Sequence, residues 1–434
     1  MISKYKLIAV ICLLFSVASC SDYLDKAPDE NLSLDDVFSN RNYAEGWLAG
    51  AYGMLPWEGY DNLWGDFPYR TSPFSTGSDE IESSLATSFG NNINRGDWNA
   101  LNINSLTIWR NSYLGIRRAN IVIDNADKIP TTDKEKTNWV GEAYFFRAMF
   151  YFNLVRCWGS VPLVERTLTS DDDMLAYVRK PVDQCIEQIV ADCDEAYSRL
   201  DKQLPSSQYG RANAIAALAL KARALLYLAS PLFNGGTAGK SGVPDLTKVT
   251  NLDGERLFPD FNVERWKHAA DAAKRCIDEA LAAGYGLYVA DNGDPVQSYR
   301  ELFSRPYNKE VLFARNNGAD IFLTFSGYPR SQSGWGTLAV LQELVDEYEM
   351  ADGSTPILGY QSNGEPIING ASGYSEENIL VDQPGRYHPA GVHRMFTNRE
   401  PRFYADINFN GQIGFNLLQG KTSLKLDTFK KDIF

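Results

Sequence analysis

One stretch of helix sets the terms for the whole chain. From Glu135 to Trp158 the residues favour a helix, and within it runs Ala143-Tyr144-Phe145-Phe146-Arg147-Ala148-Met149-Phe150-Tyr151-Phe152. A helix with one apolar stripe can lie on a surface, but one that is apolar nearly all round must be covered on several sides. Four further helices are legible in the sequence. Leu106 to Ala126 precedes this helix, and Val182 to Leu200, Arg211 to Ala229 and Val263 to Ala283 follow it, each with helical periodicity. Arg211 to Ala229 carries Ala212, Ala216, Ala219 and Ala222 at three- and four-residue spacing, which lets a neighbouring helix approach closely. The pattern predicts a mainly α fold, a tetratricopeptide-like helical-repeat scaffold of stacked pairs of roughly 30-odd residues, with irregular spacing and no full repeat consensus.

The flanks have a different texture. Ser21 to Ser39 is rich in Asp, Asn and Pro and reads as an extended tether, and Asn42 to Met54 reads as a helix. Leu55 to Asn104 is dense in Gly, Pro, Asp and Asn, and loops of that length inside a compact domain are usually functional. From Gly284 to Phe434 turn residues multiply, strands become short, and one helix from Leu338 to Tyr348 interrupts. We read 1–19 as a leader, 20–283 as the region holding the scaffold, and 284–434 as a mixed, loop-rich second region.

The leader has the order of a secretory signal: Lys4 and Lys6, an apolar run from Leu7 to Val17, then small residues ending at Cys20. The apolar run, about eleven residues, is too short to span a bilayer, which takes about 20. Val17-Ala18-Ser19-Cys20 resembles a bacterial lipobox, so Cys20 is the expected site of acylation and the first residue of the mature chain. The net charge of −13 becomes −15 once Lys4 and Lys6 are removed. Such a surface repels nucleic acid and anionic headgroups alike. Membrane attachment is therefore expected to come from the lipid, and stable anchoring needs more than one acyl chain.

Motifs for chemistry are weak. Asn234-Gly235-Gly236-Thr237-Ala238-Gly239-Lys240-Ser241 approaches a phosphate-binding loop but has Asn where Gly is required, and it follows a helix. His268, His388 and His393 lack metal-ligand spacing, and Asp291-Asn292-Gly293-Asp294 lacks the spacing and terminal Glu of a calcium loop. Asp171-Asp172-Asp173 reads as a turn and helix start. No nucleophile elbow is present. Cys157, Cys185, Cys193 and Cys276 read as structural thiols. No cofactor and no metal are expected.

Aromatic residues make up 12% of the chain. Their rings serve either as packing groups or as flat faces for sugar rings. Trp57, Trp64, Tyr69 and Trp98 lie in the first long loop; Tyr328 and Trp335 lie in a glycine-rich segment, Ser326 to Gly336, beside Arg330 and Gln332. That segment is polar apart from its two aromatics, which favours ligand contact over core packing. These eight residues form the expected glycan-binding set.

Several segments together resemble the SusD/RagB family of surface glycan-binding lipoproteins. They are the start at Cys20-Ser21-Asp22-Tyr23-Leu24-Asp25, Trp109 to Asn120 (WRNSYLGIRRAN), Glu142 to Val164 (EAYFFRAMFYFNLVRCWGSVPLV), Gly210-Arg211-Ala212, Leu341 to Gly353 (LQELVDEYEMADG) and Asn398 to Ala405 (NREPRFYA). The resemblance implies a non-enzymatic protein on the outer face of the outer membrane. It would capture oligosaccharides and act as a lid over a SusC-like TonB-dependent transporter. Members of that family run on to a further helix and an Arg-rich segment, so the resemblance implies a chain without the family's C-terminal portion. A surface glycoside hydrolase and a helical-repeat protein-binding adaptor are the alternative readings, because carboxylate pairs are defined by separation in space.

Overall fold

The computed structural model describes residues 32–55, 73–85, 88–97, 99, 107–237, 244–315, 326–330, 333–416 and 421–425. Five long or medium helices make the scaffold: α2 (Arg41–Gly53), α5 (Thr107–Asn125), α6 (Asp133–Trp158), α7 (Val182–Arg199) and α8 (Ala214–Ala229), with α9 (Glu264–Ala282) on the outside. From α5 to α9 each helix packs against the next. The direction of packing follows from paired positions. Gly115 of α5 meets Phe150 of α6, where an added Cβ would lie 2.2 Å from the ring, and Asn120 bonds to Arg147. Along α6 and α7, Gly141 meets Leu200 and Arg147 meets Asp192. In both pairs one number rises as the other falls, so the helices are antiparallel, as helix hairpins of a repeat array require.

The central helix is covered as its composition demands. Phe145, Phe146, Phe150, Tyr151, Phe152, Leu154 and Val155 are all buried. Thr132 caps its start by accepting from the Glu135 amide, and it stops at Gly159, whose φ is +67°. Asn213 caps α8 in the same way, accepting from the Ala216 amide at 2.9 Å. The sequence places the start of that helix at Arg211. It begins three residues later because the Arg211 side chain and the Asn213 cap are both committed to tertiary contacts.

A buried guanidinium joins these helices. Arg147 donates to both carboxylate oxygens of Asp192 at 2.8 and 2.6 Å, to Asn120 Oδ1 at 2.8 Å and to the Glu165 carbonyl at 2.8 Å. Its side chain is 6% exposed and that of Asp192 is 2%. A second buried carboxylate, Glu142, accepts from Arg211 at 2.7 Å and from the Tyr52 hydroxyl, tying α2 to α6 and to the entry of α8. Burial pushes the Glu142 carboxyl and the Tyr52 hydroxyl up from their ordinary values.

The structure corrects three expectations. The end of the expected tether is a helix, α1 (Leu34–Phe38), with Ser33 and Asp36 forming a reciprocal capping box and Val37 and Phe38 in the core. The helix expected over Leu338–Tyr348 is a strand, β2 (Leu338–Val340), followed by a short helix, α11 (Gln342–Glu347), because Leu338–Val340 pairs with β1 (Ile81–Ser83). The second region also holds α10 (Pro295–Ser304) and α12 (Pro401–Asp406), each with Pro in its first turn, and Asp294 caps α10. Asp-Pro at a helix start is a signal the sequence did carry. Two further ladders, β3 (Ile357–Tyr360) with β4 (Pro366–Ile368) and β5 (Ile413–Asn416) with β6 (Lys421–Lys425), complete the elements, together with α3 (Pro73–Thr76) and α4 (Phe89–Asn94).

The second region has its own small core of Val296, Val345, Val392, Phe403, Tyr404, Ile407 and Phe409. Buried Arg399 organises it by donating to the carbonyls of Val345 at 2.5 Å, Tyr348 at 2.7 Å and Met395 at 3.2 Å. Phe313 fixes this region to the scaffold by meeting Phe145 edge to face at 5.1 Å.

Removing one member of a buried ion pair leaves the other charge uncompensated, at a cost of about 3–5 kcal/mol. Asp192→Ala is therefore expected to destabilise the chain by about that amount in urea unfolding, whereas Lys274→Ala, which breaks an exposed pair with Asp278, should change stability by under about 1 kcal/mol.

Candidate functional site

The antiparallel pairing of β1 with β2 brings the first loop-rich segment against the glycine-rich one. Ile81, Glu82 and Ser83 face Val340, Ala339 and Leu338. The ladder extends past both strands: the Leu341 amide donates to the Glu80 carbonyl at 2.9 Å, and the Ser84 amide to the Thr337 carbonyl at 3.0 Å. Side-chain amides organise the segment beneath. Asn91 donates to the Ser83 and Leu85 carbonyls at 2.8 and 3.0 Å, and Asn94 to the Thr76 carbonyl at 3.0 Å.

The glycine-rich loop folds back on itself ahead of β2. The Ser333 amide donates to the Arg330 carbonyl at 3.0 Å, Gly334 to Pro329 at 3.1 Å, Gly336 to Tyr328 at 2.9 Å and Thr337 to Ser326 at 3.1 Å. Such a turn needs glycine at 334, where an added Cβ would lie 2.0 Å from the Tyr328 carbonyl oxygen. Within this one turn the structure gathers Tyr328 and Trp335, both half-buried, and exposed Arg330. Cys20, Trp57, Trp64, Tyr69, Trp98 and Gln332 lie outside the described residues.

A separate opening, of about 590 Å³, was not read from the sequence. It lies between α5 and the strap from Ser160 to Tyr177, and is lined by Trp109, Tyr113, Leu168, Met174 and Tyr177, with Arg117 and Arg166 beside them. Trp109 is 37% exposed and meets Trp158 edge to face at 5.2 Å. The strap is held from below. Asn120 donates to the carbonyls of Val164 and Arg166 at 3.0 Å each, Tyr113 donates to Pro162 at 2.8 Å, and Arg117 donates to Leu168 at 2.7 Å. Arg166 and the Thr169 amide hold the Asp172 carboxyl well below the usual range, and Asp173 caps the short 3-10 turn Met174–Ala176. Trp109 and Tyr113 were legible only as a helical i, i+4 pair; their part in an opening depends on the strap folding back.

The weaker motifs resolve into structure. Asn234 of the phosphate-loop near miss is buried and bridges the Ala229 and Asn262 carbonyls while accepting from the Asn262 amide. His393 caps a 3-10 turn through the Met395 amide, and His268 is exposed. Cys185, Cys193 and Cys276 are buried, Cys157 is half-buried, and all four are free. Among the described residues, no group of three or more His, Cys, Asp or Glu could hold a metal ion, and no helix is long and apolar enough to cross a membrane.

Two family models match the chain. Residues 22–228 match a family described as starch-binding and associating with the outer membrane, and residues 291–426 match the SusD family. The chain belongs to the SusD/RagB family. A SusD-like protein of Formosa agariphila is 30% identical over 320 residues, covering 69% of this chain and 59% of that protein. A SusD-like protein of Bacteroides ovatus is 30% identical over 251 residues, 57% of this chain and 43% of its own length. The chain thus spans about half the length of these relatives. Among solved structures, a SusD-like protein of Bacteroides fragilis superposes with a TM-score of 0.63 at 23% identity, covering 92% of this chain and 67% of that one. A second from the same species, a SusD-like carbohydrate-binding protein, gives 0.56 at 19%, covering 89% and 62%. These likenesses establish the mainly α, helical-repeat fold.

Gly334→Ala should open the loop, since its new Cβ meets backbone. Hydrogen exchange is expected to speed up at Gly336 and Thr337 by about 1–3 kcal/mol of lost protection, with α6 amides unchanged; equal protection in both proteins would rule out the fold-back as a constraint on the loop.

Proposed function

We propose that this SusD-family chain is a surface glycan-binding lipoprotein, and that the turn carrying Tyr328, Arg330 and Trp335 contributes to its oligosaccharide site. The observation that carries this reading is the β1–β2 pairing, which sets a main-chain-braced aromatic turn against the first loop-rich segment. Binding needs an aromatic plane for a sugar's C–H face and a planar donor for its hydroxyls, which Trp335 and Arg330 supply. The ligand is held and released without covalent chemistry. We take residues 20–283 and 284–434 as its two regions, with Trp57, Trp64, Tyr69, Trp98 and Gln332 as further candidate contacts. The family description names starch, so an α-glucan is the first ligand to try.

In this reading Cys20 carries the acyl chains that hold the protein at the outer membrane. The captured oligosaccharide passes to a SusC-like TonB-dependent transporter. Exposed Trp266, Ile277 and Leu281 recur at helical spacing along α9. Outer faces of terminal repeats are ordinarily polar, which makes this apolar face our candidate for transporter contact.

Titration calorimetry with maltoheptaose and product chromatography test the binding reading together. Trp335→Ala should weaken binding by about 1–3 kcal/mol. Arg330→Ala should weaken it while moving stability by less than about 0.5 kcal/mol, since its side chain is exposed. Intact sugar should be recovered; shortened products would favour a glycoside hydrolase, and retention of protein partners without any sugar would favour an adaptor. Separately, Cys20→Ala should shift the protein from the outer-membrane to the soluble fraction in cells lacking the transporter, and continued membrane association would defeat the lipid anchor.

A further inference from the structure

A second cleft opens where the entry to α8 faces the segment from Tyr307 to Ala314. Its volume is about 380 Å³, within the usual range of ligand pockets, about 300–1,000 Å³. Tyr209, Tyr285 and Tyr307 line it together with Gln203, Gln208 and Lys309. It shares no residue with the turn from Ser326 to Thr337.

Tyr307 is the unusual member. Its φ is +62°, the left-handed region that a bulky aromatic side chain rarely enters. The chain on either side is fixed. Asn308 donates to the Leu302 and Arg305 carbonyls at 2.9 and 2.8 Å and accepts from the amides of Glu310 and Val311. The Gly286 amide donates to the Lys309 carbonyl at 3.0 Å, and Asn213 to that of Leu312 at 2.6 Å. Asn or Gly at 307 would fit this backbone with less strain.

What the tyrosine gains in return is not burial, because Tyr307 remains 59% exposed. Its ring instead leans on Tyr209, with centroids 4.4 Å apart and planes at 57°. The result is a pre-set aromatic ledge over a cleft whose other walls carry side-chain amides and a third tyrosine. Backbone outliers kept at a local cost concentrate at ligand-binding positions. The lining guanidinium, Arg211, is already matched by Glu142 and Glu45 at 2.7 and 3.1 Å. With Arg211 matched, the lining is mostly hydroxyl- and amide-bearing side chains beside the one ammonium of Lys309, which suits a hydroxyl-rich ligand.

We propose that this cleft is a second oligosaccharide subsite, in which a pyranose ring of a neutral glycan stacks on the Tyr209–Tyr307 ledge and its hydroxyls meet Gln208 and the Oε1 of Gln203, whose Nε2 is held by the Ala283 carbonyl. The proposal rests on the glycan-binding reading above and adds a site on the scaffold side of the molecule. A chain with two separated aromatic sites holds a long glycan more tightly than a short one through effective concentration.

The test is calorimetry of the full chain with maltotriose, laminaritriose and xylotriose, alongside thermal melts. Tyr307→Asn and Tyr307→Gly remove the ring from a backbone that suits both replacements. For a sugar bound by the wild type, each should weaken one class of site about tenfold or more with the melting temperature unchanged or raised. Trp335→Ala should leave that class intact. Unchanged binding in both Tyr307 variants, with loss in Trp335→Ala, overturns the second subsite and leaves the glycan reading standing. A fall in melting temperature in both Tyr307 variants assigns the residue to structure and also overturns the subsite. Failure of the wild type to bind any sugar of the panel, maltoheptaose included, overturns the glycan reading and this inference with it.

Discussion

The buried pair of Arg147 and Asp192 is the constraint on which the rest of the scaffold depends. Taking two charges out of water is costly, and their attraction offsets that cost only when the remaining donors and acceptors are also met. Here they are: Arg147 reaches Asn120 and the Glu165 carbonyl as well as Asp192, and Gln188 donates to the same carboxylate at 3.0 Å. One side chain thereby fixes the rotation of α6 against both α5 and α7. A purely apolar helix in that position could slide or turn among equivalent packings, whereas a guanidinium with directional partners has one satisfactory register.

The same group determines the shape of the surface above it. Through Glu165 it holds the first half of the strap from Ser160 to Tyr177, and through Asn120, whose amide donates to Val164 and Arg166, it holds the residues on either side. The opening beside Trp109 and Tyr113 exists because the strap is pinned at this height over α5. Core polarity and surface recess are therefore linked, and a change at Asp192 should be felt at the strap before it reaches the second region. That second region repeats the device on a smaller scale, with Arg399 drawing three carbonyls around one guanidinium.

Both proposed aromatic sites follow a common physical plan. In each, a short loop is made rigid by its own main-chain bonds or by an asparagine, and then anchored to a regular element: β2 for the turn carrying Trp335, and the edge-to-face contact of Phe313 with Phe145 for the ledge at Tyr307. Rigid loops lose less freedom on binding than mobile ones, so more of the stacking energy appears as affinity. The family motifs gain physical content from this plan. Glu142 and Arg147 in EAYFFRAMFYF are the buried charges of α6, the stretch SVPLV begins the strap, and Arg399 in NREPRFYA is the carbonyl-binding centre of the second core.

The amino-acid sequence by itself determined the central helix and four further long helices of the stack, since those follow from local periodicity and from an apolar surface that has to be covered. It also determined the family, through motifs whose order runs along the chain, and it pointed to Trp335 through the flanking glycines. The tertiary structure decided the rest. Residues Leu338–Val340 became a strand only because Ile81–Ser83, more than 250 positions earlier, offered an edge, and a propensity window cannot see a partner at that distance. Leu34–Phe38 became a helix because Val37 and Phe38 found the core. Trp109 and Tyr177, or Tyr209 and Tyr307, share a cavity only after loops close over helices, because which aromatic faces another is set by packing between segments far apart in sequence and not by spacing within any one of them.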